Sequence, residues 1–193
     1  NWYDFIHIYV PDGNGWINYN DLTPVTNWTA NGGLVQLMWH FNVPTSESVT
    51  PGTDGSGVTC SPEQTTFKAA NALVVDTWEN KWFYGQMERV ADVLLQLQQK
   101  GVSAVWRPFH EAAGNAELKS GASWGKSWFW WGEGGATTYR ALWQAMFDYF
   151  QQRGVHNLIW VWTTQTYNGD ASQYNDDSAW YPGDQYVDII GRD

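Results

Sequence analysis

Five short apolar runs punctuate this chain, at residues 4–10, 34–40, 102–107, 158–162 and 187–191, and the long intervals between them carry most of the polar residues. Each run is nearly continuous in Val, Ile, Leu and aromatic side chains rather than alternating. That is the pattern of strands covered on both faces, as in a parallel sheet. Two of the intervals read as helices. Residues 82–100 place Val90, Val93, Leu94 and Leu97 at three- and four-residue spacing, and Gly101 follows as a stop. Residues 138–153 repeat the design, with Tyr139, Leu142, Trp143, Met146, Phe147 and Phe150 as the apolar face and Gly154 at the end. Helix, glycine, strand therefore occurs twice, which is the αβ half of a repeated β/α unit. Residues 44–63 and 166–184 are rich in Pro, Gly, Ser, Thr, Asn and Asp and read as long loops after strand C-termini, where a β/α barrel builds its working face.

Five strands do not close a (β/α)8 barrel, which takes about 250 residues. Asn1-Trp2-Tyr3-Asp4 reads as already inside a strand, and Arg192-Asp193 ends one without a following helix. The expectation is a single domain of the α/β class, 1–193, incomplete at both ends and representing the middle of a larger barrel.

Composition narrows the function. Ten basic residues against twenty acidic ones give a net charge of −10, which argues against nucleic acid and anionic membranes as partners. A neutral polymer such as a polysaccharide is compatible. Fifteen tryptophans are more than one core needs, so some are expected to face solvent or a ligand. The lone Cys60 excludes an internal disulfide and a Cys-based zinc site, and reads as buried filler. No run approaches the ~18 apolar residues of a membrane span, and no signal peptide is visible.

The chemistry concentrates in Val105-Trp106-Arg107-Pro108-Phe109-His110-Glu111, an apolar run that ends in charged groups, followed by Trp128-Phe129-Trp130-Trp131-Gly132. A strand that delivers Arg, His and Glu at its C-terminal tip beside an aromatic wall suits sugar chemistry. A carboxylic acid must protonate a glycosidic oxygen, and flat rings must hold a pyranose. Glu111 is the candidate general acid/base, with His110 and Arg107 positioned to orient and tune it; the plainer alternative is a surface glutamate satisfied by the arginine. His40, at the end of another run, could reach the same site, or could be a buried histidine bonded to a carbonyl. His7 reads as a core histidine. The histidines lie at different positions along their strands, so no metal site and no cofactor is expected. At least one ring of the 128–131 block should face a cleft, and Trp82, Trp124 and Trp162 are weaker candidates of the same kind. Asp193, at the tip of the last run, is a more plausible site residue than Asp188. Asn27-Trp28-Thr29 matches a glycosylation sequon, a pattern expected often by chance.

These segments resemble glycoside hydrolase family 26, best known for endo-β-1,4-mannanases. The matching residues are Leu37-Met38-Trp39-His40, Trp106-Arg107-Pro108-Phe109-His110-Glu111-Ala112, Trp128-Phe129-Trp130-Trp131-Gly132, Asn157-Leu158-Ile159-Trp160-Val161-Trp162, Tyr181-Pro182-Gly183-Asp184 and Tyr186-Val187-Asp188-Ile189-Ile190-Gly191. The resemblance implies a (β/α)8 TIM barrel of which the chain covers about strands two to six. It also implies a retaining mechanism with glutamates on the fourth and seventh strands. Glu111 matches the acid/base, and His40 and His110 match substrate-contacting or orienting histidines. Trp128 matches the ring lining the −1 subsite, and Asp193 an active-site aspartate. Trp82 and Trp162 join them as candidate substrate-binding rings.

The sequence departs from the family pattern in two places. No glutamate follows Glu133, so the nucleophile is expected beyond the end of the chain, and the 193 residues alone are expected to be inactive. Residues 115–126 look like a loop insertion that reshapes one side of the cleft and leaves substrate preference open among mannan, mixed-linkage β-glucan and xylan. The expected protein is a monomeric endo-hydrolase of a β-linked plant polysaccharide, located extracellularly, in the periplasm or at the cell surface. Competing readings are a non-catalytic glycan-binding protein on the same fold, or an unrelated α/β enzyme that sets Arg107 against a carboxylate or phosphate. The last lacks any Gly-rich phosphate loop.

Overall fold

The computed structural model describes residues 2–4, 21–52, 55–114, 127–164 and 177–192. Strands β1 (Trp2–Asp4), β2 (Val35–Trp39), β5 (Ala104–Pro108), β6 (Leu158–Thr164) and β7 (Ile189–Arg192) form one sheet in that spatial order, and every neighbouring pair is parallel. The second to fifth expected strands are therefore present in order; β1 overlaps the first expected run only at Asp4, and residues 5–10 lie outside the described residues.

Helices α2 (Trp78–Gln99) and α4 (Gly135–Gln152) cover one face of the sheet. In α2 the Thr77 hydroxyl caps the first turn by accepting from the Asn80 N–H at 3.1 Å. Both helices end in the same way. Gly101 and Gly154 take positive φ, the next residue's N–H reaches back to the carbonyl of Leu97 or Phe150, and the chain reverses into a strand. The shorter α1 (Thr23–Ala30) closes similarly at Gly32. It went unread in the sequence because TPVTNWTA is polar and buries only Val25.

Register decides which side chains meet the helices. Leu37, Trp106 and Trp160 lie side by side on neighbouring strands, and the last two pack on Phe150 at centroid distances of 6.0 Å. By the two-residue alternation of strands, Met38, Arg107, Val161 and Thr163 line the opposite, inner face. That face is less tightly covered: Gln36, Val105, Arg107, Ile159 and Thr163 are half-buried. The long 44–63 loop holds a two-residue hairpin, β3 (Val43–Pro44) against β4 (Val58–Thr59), too short to leave a periodic signal. The one-turn α3 (Trp130–Glu133) lies inside the aromatic block.

Candidate active site

Strand β5 ends at Pro108, and the chain then turns sharply. Phe109 and Glu111 both adopt left-handed backbone angles (φ 47° and 52°), and Gly114 follows at 43°. Left-handed conformations are rare for side-chain-bearing residues and cost on the order of 1–3 kcal/mol each. Three long-range hydrogen bonds hold the turn against that strain. Tyr139 Oη donates to the Phe109 carbonyl at 3.2 Å, Trp131 Nε1 to the His110 carbonyl at 2.9 Å, and Ser127 Oγ to the Ala112 carbonyl at 3.2 Å. Phe109 is itself buried among Phe41, Phe83 and Trp131. The carboxyl-bearing residue thus sits at the apex of a turn fixed on both sides.

His40 follows the last residue of β2. Its Nε2 lies 3.2 Å from Nε2 of His110, with the rings edge to face at 4.5 Å. One ring must donate and the other accept, so the two cannot both be protonated. His110 is 3 % exposed. Its burial, followed by the charges of His40 and Arg107, pushes its pKa down to about 2. It is a neutral imidazole at any working pH. Arg107 projects from the inner face of β5, with Nη1 4.0 Å from Met38 Sδ.

The aromatic block divides its labour. Trp130 and Trp131 are fully buried, and their indole N–H groups fasten the Phe41 carbonyl (2.5 Å) and the His110 carbonyl. They therefore lock the segments bearing the two histidines. Phe129 is half-buried and reaches both histidine rings, at 5.9 Å and 5.1 Å, while stacking on Trp131 at 4.4 Å. Trp128 is also half-buried and packs over Gly114, three residues past Glu111; a Cβ on that glycine would stand 3.3 Å from the Trp128 nitrogen.

The structure therefore gathers Glu111, His110, His40, Arg107 and Trp128 at the C-terminal edge of the sheet. Trp82 is placed on α2, where its Nε1 donates to the Asn42 carbonyl at 3.1 Å. Trp162 shares the helix-facing side of β6 with Trp160; it is 4 % exposed and packs on Tyr181 at 5.2 Å. His7, Trp124, Asp193 and the insertion 115–126 lie outside the described residues. Asp188 bonds the backbone N–H of Trp160 through its carboxylate at 2.8 Å, a strand-edge role.

Four contributors were not singled out in the sequence. Asn42, 7 % exposed, donates to the His40 carbonyl at 3.3 Å and accepts from the Cys60 thiol at 3.2 Å. Cys60 is thus half-buried and bonded, rather than apolar filler. Phe129 contacts both histidines, and Tyr139 and Ser127 hold the turn. Phe129 left a sequence trace as one ring of the aromatic block, and Tyr139 one as part of the apolar face of the 138–153 helix.

A parallel β/α sheet with an acid, histidines and aromatic rings gathered at its strand C-termini has the architecture of a barrel-type carbohydrate-active domain. The chain belongs to glycosyl hydrolase family 26, whose model matches residues 14–193. It is 65 % identical to the family 26 domain of an endo-β-mannanase/endo-β-glucanase from Prevotella bryantii, with a TM-score of 0.93 over all of this chain and 58 % of that one. A ruminal family 26 endo-β-1,4-mannanase is 33 % identical, with a TM-score of 0.78 over all of this chain and 38 % of that one. A mannan endo-1,4-β-mannosidase of Bacillus subtilis is 30 % identical over 94 % of this chain and 48 % of its own length. The five parallel strands are accordingly part of a (β/α)8 barrel, and the chain spans about half of that Bacillus relative.

Proposed function

We propose that the protein is a retaining endo-glycoside hydrolase of β-1,4-mannan, with Glu111 as general acid/base. The observation that supports this most is the protonation state of the turn. Two titratable side chains stand at its apex, and His110, which burial keeps as a neutral imidazole, has no acidic proton to give near neutrality. That leaves the adjacent carboxyl of Glu111 to protonate the leaving glycosidic oxygen. His110 then acts as a neutral hydrogen-bonding group toward sugar hydroxyls with His40 against it, Arg107 adds positive charge beside them, and Trp128 offers a ring for the sugar at the cleavage point.

Retaining chemistry needs a second carboxylate about 5–5.5 Å from the first. We assign it to a glutamate outside these 193 residues, because the sequence has none after Glu133. Mannan is favoured because the relatives compared are named as mannan-cleaving enzymes, and such a polymer places the reaction outside the cytoplasm. No helix among the described residues is long and apolar enough to cross a membrane.

The alternative is a glycan-binding protein on the same fold that does not turn over. The test is reducing-sugar release from mannan, mixed-linkage glucan and xylan. It compares the 193-residue chain with a longer protein that carries it and the second carboxylate. The longer form should release sugar from mannan and lose at least ~10³-fold in kcat as Glu111→Gln, with polymer binding retained. Unchanged turnover in that variant would exclude Glu111, and turnover by the short chain would place the nucleophile within it.

A further inference from the structure

A groove of about 410 Å³ lies along one face of α2. Trp78, Trp82, Gly85 and Arg89 line it at spacings of four, three and four residues, which is one face of the helix. Pro44 and Val49 form the opposite wall. Both tryptophans are half-buried, with Trp78 braced edge-on by Phe67 at 5.3 Å.

Two further observations point to a ligand. Gln86 lines the same groove, is only 4 % exposed, and its Oε1 has no hydrogen-bond partner among the described residues. A buried amide oxygen without a donor is unfavourable, and a hydroxyl-bearing ligand supplies that donor. Gly85 stands in the middle of a helix, where alanine would be more stable. A Cβ there would meet nothing within 4 Å, so packing does not require the glycine. Its effect is to keep the floor of the groove open.

We propose that this groove is an auxiliary binding site for a neutral β-linked glycan chain. Pyranose faces would lie on Trp78 and Trp82, with Gln86 accepting from a sugar hydroxyl. Lys81, Arg89 and Glu47 at the rim offer hydrogen-bonding groups of both signs, which suits a neutral polyol better than a polyanion. The choice of a glycan as occupant rests on the hydrolase reading above, but the site does not use Glu111.

The experiment is electrophoresis of the Glu111→Gln chain through native gels containing soluble glucomannan, with polysaccharide-free gels as reference. Trp78→Ala and Gly85→Leu are compared in the same background. The second fills the groove with a good helix former at an open position, so it folds even if the first does not. Retention of the parent, with its Kd raised about fivefold or more in both variants, is the expected result. Three results overturn the proposal: no retention of the parent, equal retention of parent and Gly85→Leu, or retention on polygalacturonate in place of glucomannan. Sugar release by the longer protein is read separately, so failure of the hydrolase and failure of the groove are distinguishable.

Discussion

Replacing Gly132 by alanine would place a methyl carbon 2.1 Å from the Ala112 carbonyl oxygen and 2.1 Å from Ser127 Oγ. Both atoms belong to the scaffold of the Glu111 turn, and the first is backbone that cannot swing aside. Ser127 Oγ could rotate, but only by giving up its bonds to the carbonyls of Ala112 (3.2 Å) and Phe129 (2.8 Å). The single hydroxyl proton is shared between these carbonyls, so the two contacts together contribute about 1 kcal/mol. Separating packed backbone adds about 1–3 kcal/mol, and the higher helix propensity of alanine returns at most about 1 kcal/mol. The net expectation is a loss of roughly 1–3 kcal/mol. With a urea m-value of about 2–3 kcal/mol/M, the midpoint should fall by about 0.5–1 M. Gly85→Ala is the control: it faces open space, so its midpoint should rise slightly. A Gly132→Ala midpoint equal to or above that of the parent would refute the packing argument, since propensity alone predicts a gain.

Two further expectations concern buried polar groups. His110 titrates at about 2 in the fold against about 6.5 in the unfolded chain, so its contribution to stability is complete above pH 6.5 and is lost as pH falls toward 2. The slope is at most about 1.4 kcal/mol per pH unit, and urea midpoints between pH 7 and pH 5 should fall less steeply in His110→Gln. Glu79, 3 % exposed in the first turn of α2, accepts from Asn71 Nδ2 at 2.9 Å and from the Lys68 N–H at 3.4 Å. Glu79→Ala should cost about 2–3 kcal/mol in thermal or urea unfolding, and a loss below about 0.5 kcal/mol would show that the 68–71 turn is held by other contacts.

The parts of this architecture that were legible in the sequence are those written in local periodicity. Continuous apolar runs marked β2, β5, β6 and β7, and the Gly101 and Gly154 stops marked the ends of α2 and α4, because helix termination is a local backbone event. Glu111 was legible as a candidate for the same reason: an apolar strand that stops at Arg107 and then offers His110 and Glu111 is visible in seven consecutive residues. What locks that tip was not legible. The indole of Trp130 reaches the carbonyl of Phe41, 89 residues away, and Tyr139 reaches that of Phe109. No local pattern encodes such pairings. The aromatic block is divided by α3, which turns Trp130 and Trp131 into the core and leaves Trp128 and Phe129 at its edge. Trp162 stands near a strand end, where the pleat puts it on the helix side and buries it.

The central claim is that Glu111 donates the proton to the departing sugar, and dependence on the leaving group tests it most directly. In the longer protein, Glu111→Ala should lose at least ~10³-fold in kcat/KM on mannan. It should lose under ~10-fold on a dinitrophenyl β-glycoside, whose leaving group needs no proton, and added azide should restore turnover as a glycosyl azide. Equal losses on both substrates, with no azide product, would contradict the assignment and move the acid to another residue.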